Sequence, residues 1–214
     1  MPDWLTQLKT QMAEITLPPA RKIWSGESAD DEPFYNYRLQ HVEQVERDAR
    51  RLLKAYGGDE DIVLASVWIH DRYQPQYEGE NHGPRAAEWA EKNLSKTGFP
   101  AAKVPAVVYA VSKHSNPPHT IPESAKEARL LWDADKMGKT GALWVVYLLS
   151  GAPAFPQQRV DFPWVVREMR SWDGPSGGLK DILYFPLSRE IAQERHSAFK
   201  AFFTALEQET GEPG

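Results

Sequence analysis

The chain has 214 residues, of which 41% are hydrophobic, and its formal net charge is −5. This length suits one globular domain, and the negative charge argues against a nucleic-acid partner because non-specific binding of nucleic acid needs a basic surface. The absence of cysteine excludes disulfides and thiolate-held metals, while the absence of a signal-peptide pattern and of any apolar run near ~18 residues predicts a cytoplasmic protein with no membrane partner.

Apolar residues recur at helical spacing along most of the chain, which predicts an all-α fold. The first such helix covers 37–56 and ends at Gly57-Gly58, after which Asp59 is a suitable N-cap. Residues 61–70 are apolar nearly all round, as expected of a helix buried at the centre of a bundle. A short buried strand is the alternative for this run, but the helical neighbours disfavour it.

The second half of the chain is also predicted to be mainly helical. The segment 72–81 is rich in Gln, Tyr, Pro and Gly and is predicted to be a loop. Pro84 suits the first turn of the next helix, which should end near Gly98, and the run 104–111 fits either a helix or a strand. The remaining predicted helices run from Pro122 to Asp135, over 141–149, over 163–172 within an otherwise irregular region at 151–187, and from Ser188 to about Glu209.

Residues that can bind a metal ion follow the apolar run at 66–69. That run ends in His70-Asp71, and more histidines and an aspartate are spread around it. Such side chains at the ends of packed helices can face one hollow, where imidazole nitrogen and carboxylate oxygen suit Mn²⁺, Fe²⁺, Co²⁺, Ni²⁺ or Zn²⁺ better than Mg²⁺. In the alternative interpretation, His70 ends a helix and is merely capped by a neighbouring acid. The candidate ligands are His41, His70, Asp71, His82, His114 and Asp135.

This ordered series resembles the HD superfamily of metal-dependent phosphohydrolases, which are all-α bundles. The resemblance spans about 35–141, in the blocks Tyr37–Val42, Leu64–Asp71, Glu80–Gly83, Val111–His114 and Leu131–Met137. Leu187–Arg195 is also similar to the tail of small stand-alone bacterial members without a regulatory domain. The expected organisation is a single domain over 1–214, with an HD helical-bundle core over about 35–150 and C-terminal helices over about 151–210 that complete it.

The resemblance also implies a ligand set. One ion would be held by His41, His70, Asp71 and Asp135. In members with two metals, His82 and His114 hold a second ion and Asp71 bridges the two. Of the two aspartates in the last block, Asp135 is followed by a basic residue and aligns with the family's ligand, with Asp133 in reserve.

This ligand set predicts hydrolysis by a metal-activated water. Two ions about 3.5–4 Å apart can clamp a phosphoryl group and lower the pKa of a shared water from about 15.7 to ~7. Asp71, His82 and His114 would then be the catalytic residues. The leading hypothesis is a metal-dependent phosphohydrolase with one or two divalent transition metals, acting on a small phosphorylated metabolite or nucleotide. The alternatives are an HD-type di-iron oxygenase and a catalytically silent binding or regulatory domain.

Basic residues near the candidate ligands are predicted to bind the substrate's phosphate. Arg38 lies three residues before His41 and Arg85 three after His82, so each can share a helix face with its ligand. Arg72 directly follows the His-Asp pair, where many relatives instead carry an apolar residue, Gly and Lys. The full set of substrate-binding candidates is Arg38, Arg72, Arg85, Lys113 and Lys136.

Other polar residues have no matching block and are predicted to face solvent. His119 and His196 are interpreted as surface histidines. Glu43, Glu46 and Asp48 are interpreted as one solvated face of the helix over 37–56.

Overall fold

The computed structural model describes residues 2–24, 32–73, 82–115, 120–150 and 178–210. Over these residues it contains α-helices and 3₁₀ turns and no β-strand, which confirms the predicted all-α class. None of the helices in these ranges combines the length and the apolar character that a membrane crossing requires. The contacts divide the chain into two compact units, Met1–Asp135 and Lys136–Gly214. The single domain expected over 1–214 stays a prediction.

The first unit is built around one short apolar helix. Its described helices are α1 (Asp3–Trp24), α2 (Tyr37–Tyr56), α3 (Glu60–Ile69), α4 (His82–Asn93), α5 (Val104–Lys113) and α6 (Lys126–Met137), the last ending two residues into the second unit. Helix α3 packs against α1, α2 and α5, and α4 packs against α5. Every residue of α3 from Ile62 to Ile69 is buried, as its unbroken apolar sequence predicts.

The ends of α2 and α3 follow from capping residues in the local sequence. The Asn36 side chain accepts a hydrogen bond from the Leu39 amide at the start of α2. Gly57 ends α2 with a φ of 69°, a conformation that glycine adopts without strain, and its amide donates to the Leu53 carbonyl. The Asp59 carboxylate accepts from the amides of the first turn of α3, as predicted.

Helix α1 is not among the helices that the sequence predicts. Pro18 and Pro19 lie inside it, and proline normally interrupts a helix because it lacks an amide hydrogen. Burial nevertheless recurs at four-residue steps, a spacing that could have revealed the helix. The buried residues on these steps are Trp4, Leu8, Met12, Thr16, Ala20 and Trp24.

The structure settles one ambiguous run and gives a later start for one predicted helix. The ambiguous run at 104–111 is helical, with Val107, Ala110 and Val111 buried at helical spacing. Helix α6 begins at Lys126, after a turn in which the Ala125 amide donates to the Pro122 carbonyl, so it starts later than predicted. The predicted helix after 72–81 is α4, which begins at His82 and is followed by a 3₁₀ turn that ends at Gly98.

The solvated face predicted for α2 is wrong at Glu46 and Asp48, which are both buried. The Glu46 carboxylate accepts from Trp68 Nε1 at 2.7 Å and pairs with Lys9 Nζ and Arg50 Nη2, each at 2.8 Å. Burial by itself would raise the pKa of Glu46, but these three partners together have the larger, opposite effect. The pKa of Glu46 therefore lies below its ordinary value. The Glu46 carboxylate therefore links α1, α2 and α3 through these contacts and does not face water.

The second unit contains three described helices, α7 (Ala142–Ser150), α8 (Leu179–Ile182) and α9 (Pro186–Thr210). Of these, α8 and α9 lie in the predicted C-terminal extension, and α7 lies in the predicted core. The surface position predicted for His196 is wrong, because its side chain is buried and stacks on Phe199 with ring centroids 5.8 Å apart. Its apolar neighbours on α9 draw that face of the helix inward. The helix predicted over 163–172 and His119 lie outside the described residues.

Candidate metal centre

Two groups of potential metal ligands lie in the first unit and share one residue. Each group offers ligand atoms within 4.8 Å of one another, and Asp71 belongs to both. The first group consists of His41, His70 and Asp71, and the second of Asp71, His82 and His114. These groups could hold a metal ion. The structure thus brings together residues separated by up to 73 positions in the sequence, a juxtaposition that only the packing of α2 to α5 can produce.

The first group lies where α2 meets the end of α3. His41 is on α2, and its Nε2 is 3.5 Å from Asp71 Oδ2 and 3.3 Å from Asp135 Oδ1. His70 directly follows α3, and its Nε2 is 3.7 Å from Asp71 Oδ2 and 3.9 Å from Asp135 Oδ1. Asp135, the preferred aspartate of the last block, therefore lies against the same two imidazoles.

The second group lies where α4 begins and α5 ends. His82 is the first residue of α4, and His114 directly follows α5. Their Nε2 atoms are 3.0 Å apart, and they lie 3.4 Å and 3.7 Å respectively from Asp71 Oδ1. Asp71 thus presents Oδ2 to the first group and Oδ1 to the second.

Two of the histidines are oriented by the helices that precede them. His70 Nδ1 donates to the Val67 carbonyl at 2.7 Å, and His114 Nδ1 donates to the Val111 carbonyl at 2.6 Å. A carbonyl only accepts, so Nδ1 carries the proton and Nε2 keeps its lone pair toward the site. The shared spacing, a histidine three residues after a valine at a helix end, is a sequence signal for these orienting contacts.

The charges of the site suit metal binding near neutral pH. Burial lowers the pKa of His70 to about 3 and that of His82 to about 4, so both imidazoles are neutral. Burial by itself would raise the pKa of Asp71, but the Arg38 guanidinium and nearby imidazoles have the larger, opposite effect. The pKa of Asp71 therefore lies well below its ordinary value. Neutral imidazole and ionised carboxylate are the forms that bind a metal.

The donor set fits a divalent transition metal. His70 Nε2 is fully buried and has no hydrogen-bond partner among the described residues, which is costly for a polar atom unless another group binds it. With the imidazole nitrogens and carboxylate oxygens around it, the set matches the preference of Mn²⁺, Fe²⁺, Co²⁺, Ni²⁺ or Zn²⁺. The assignment of each residue as a ligand stays a prediction.

The burial of His70 predicts that acid destabilises the metal-free protein. Its pKa is about 3 in the folded protein, below the ordinary value of 6.5 that applies to the unfolded chain. The unfolded chain therefore binds more protons between these two values, and stability is lost as pH falls. When the pH falls from about 7.5 to about 5, the titration of His70 should therefore lower the free energy of unfolding by about 2 kcal/mol. Urea unfolding in chelator should show this loss, and the His70→Asn variant should lose correspondingly less. Equal losses in the two proteins would count against the buried, neutral imidazole.

The candidate substrate-binding residues have different surroundings. The Arg38 guanidinium forms a buried pair with Asp71, so it lies at the site. The Arg72 guanidinium lies 3.9 Å from the centre of the Trp89 ring and donates to Gln11 Oε1 at 3.1 Å. The Arg85 guanidinium lies 4.6 Å from the centre of the Tyr73 ring, and Lys113 Nζ lies 5.7 Å from the centre of the Tyr109 ring. Lys136 belongs to the second unit.

Gly83 allows α4 to approach the end of α5. A Cβ at this position would lie 2.5 Å from Ser115 Oγ and 3.1 Å from His114 Cε1. We expect Gly83→Ala to displace the His114 imidazole and weaken metal binding at the second group by about 10–100-fold, although alanine favours a helix. Metal titration by calorimetry measures this effect.

Two control variants separate the contacts of that Cβ. Ser115→Ala alone should bind metal as the wild type does. Gly83→Ala/Ser115→Ala removes the contact with Ser115 Oγ but keeps the contact with His114, so it should recover metal binding only in part. Full recovery in the double variant would show that Ser115, rather than the imidazole, resists the added methyl group.

Comparison with known proteins identifies similar folds but no similar sequences. No protein-family sequence profile and no curated protein sequence matches this chain. Among solved structures, a predicted HD superfamily hydrolase from an uncultured Thermotogales bacterium is 18% identical, with a TM-score of 0.62 over 96% of this chain and 92% of that chain. Bacillus subtilis YpgQ in complex with ADP is 16% identical, with a TM-score of 0.62 over 96% of this chain and 97% of that one.

A third solved structure gives the same result. An HD-superfamily hydrolase from Bacillus thuringiensis is 15% identical, with a TM-score of 0.60 over 98% of this chain and 100% of that chain. Because the sequence identities are low, these similarities establish the fold alone. The similarity covers nearly the whole of each chain. The all-α fold of this protein is therefore the HD-domain fold.

Proposed function

We propose that this protein is a metal-dependent phosphohydrolase that acts on a small phosphorylated metabolite or nucleotide. The observation that carries the proposal is the position of Asp71 between two groups of histidines, with one carboxylate oxygen toward each. This arrangement suits two ions that share one carboxylate. Such a pair would supply a hydroxide near neutral pH and polarise a phosphoryl oxygen.

The residues of the site divide into two proposed ligand sets. His41, His70, Asp71 and Asp135 would hold the first ion, which would be Mn²⁺, Fe²⁺, Co²⁺, Ni²⁺ or Zn²⁺. His82 and His114 would hold the second ion together with Asp71. Because His70 and His114 are fixed by the carbonyls of Val67 and Val111, their lone pairs need no reorientation before they bind.

The choice of substrate class rests on charge and on one structural neighbour. Two dications exceed the charge of the two carboxylates, and Arg38 adds a further positive charge, so the loaded site should attract an anion such as a phosphate ester. The YpgQ structure contains ADP, which makes nucleotides the first compounds to test here. Arg85, one helical turn after His82, is a second candidate to contact the substrate's phosphate.

The test is a hydrolysis screen with each metal supplied separately. p-Nitrophenyl phosphate and nucleoside mono-, di- and triphosphates are incubated with the protein while released phosphate, pyrophosphate and consumed O₂ are measured. We expect metal-dependent release of phosphate or pyrophosphate without O₂ uptake. Glu91→Gln, at an exposed position of α4, is a matched control that should retain activity.

Two results would contradict the proposal. O₂ uptake by the iron-loaded protein without phosphate release would favour the di-iron oxygenase. Metal binding without turnover of any compound in the panel would favour the binding or regulatory domain.

A further inference from the structure

Arg38 forms a buried ion pair inside the candidate metal centre. It lies on the first turn of α2, and its Nη1 pairs with Asp71 Oδ2. Its side chain is only 9% exposed, and its guanidinium lies over the Tyr37 ring, 4.8 Å from the ring centre. The Tyr37 ring in turn stacks on His41, with centroids 6.0 Å apart. The guanidinium is therefore held beside the first group of ligands.

The same carboxylate oxygen serves two purposes. Asp71 Oδ2 is the oxygen that faces His41 Nε2 at 3.5 Å and His70 Nε2 at 3.7 Å. An ion bound by these imidazoles and Asp71 would therefore draw on the oxygen that Arg38 contacts. The other oxygen, Oδ1, faces His82 and His114 instead.

The two partners of this oxygen also repel each other. A guanidinium stays protonated at all pH values that proteins tolerate, so Arg38 cannot become neutral when a cation approaches. Repulsion between a fixed positive charge and a divalent ion is strong in a buried site because little water screens it. The ion pair also stabilises the Asp71 carboxylate, which would otherwise be buried without a counter-charge.

We propose that Arg38 and a metal ion compete for Asp71 Oδ2. Arg38 neutralises the carboxylate until the metal binds, and the metal then displaces the guanidinium from that oxygen. Arg38 thereby lowers the affinity of the first group for metal. The displaced cation would be available to a phosphate group of the substrate, and this last step rests on the proposed function above.

The test compares metal affinity in three proteins. Mn²⁺ is titrated by calorimetry into chelator-treated wild type, Arg38→Gln and Arg38→Lys. We expect Arg38→Gln to bind the first Mn²⁺ at least tenfold more tightly and its metal-free form to melt at a lower temperature. Arg38→Lys, which keeps the positive charge that opposes the ion, should bind Mn²⁺ more weakly than Arg38→Gln. Equal or weaker binding by Arg38→Gln would overturn the proposal, because a residue that only orients Asp71 would weaken binding when removed.

A second measurement uses the wild-type protein, so it does not depend on the folding of a variant. Zn²⁺ is titrated into ¹⁵N-labelled protein while the Arg38 side-chain N–H resonances are followed, with Arg38→Lys used for their assignment. We expect these resonances to shift and to lose protection from solvent exchange with the first equivalent. Unchanged resonances would reject the displacement. Neither experiment contains substrate, so a failure of the proposed hydrolysis would leave their result intact.

Discussion

The His70→Ala/Asp71→Ala variant is expected to bind no transition metal and to lose at least about a thousandfold of any hydrolytic activity. Asp71 belongs to both ligand groups, so its removal affects both at once, and loss of His70 removes a fully buried nitrogen from the first group. Elemental analysis of protein purified without chelator gives the metal content per chain, and the hydrolysis screen gives the activity.

Asp71→Asn is the matched variant for charge. It keeps the shape of the side chain but removes the negative charge that pairs with Arg38. We expect it also to lose metal, with less change in packing than the double alanine variant. Circular dichroism checks that each variant is folded. A folded double variant that still contained stoichiometric metal would rule out this centre as the binding site.

The His114→Ala variant is expected to bind one metal ion instead of two and to lose about a hundredfold in activity. The imidazole of His114 is 1% exposed, and its Nε2 meets His82 Nε2 and Asp71 Oδ1 at the second group. The ligands of the first group are unchanged in this variant. Calorimetric titration with Mn²⁺ measures the number of ions and their separate affinities.

His41→Ala is the control for the opposite group, since it removes a ligand of the first ion only. The two variants should therefore lose different binding steps of the same titration. A wild-type protein that binds only one ion would remove His82 and His114 from the ligand set and leave them to support a ligand or to contact the substrate. Two ions retained in His114→Ala would contradict the second group.

Local sequence was sufficient to predict the helices whose limits depend on neighbouring residues. Helix α2 begins at Tyr37 and ends at Tyr56 as predicted, because capping by Asn36 and the positive φ of Gly57 act within one turn. The buried helix α3 was also predictable, since a residue run that is apolar on every side can only be stable inside the protein. Helix α1 was not predicted, because its two prolines oppose a helix that burial against the rest of the unit stabilises.

The types of the candidate ligands and their order could be predicted from the sequence, because transition metals bind imidazole and carboxylate groups. What the tertiary structure decided is which of these groups and charges meet. Asp71 places one oxygen at each histidine group, Arg38 pairs with that carboxylate, and Glu46 is buried between three helices instead of facing water. Each contact joins residues far apart in the chain, so its existence depends on how α2, α3, α4 and α5 pack and on the desolvation that follows. Sequence spacing describes one helix at a time, and it therefore determines the chemistry that is available but not the distances at which that chemistry operates.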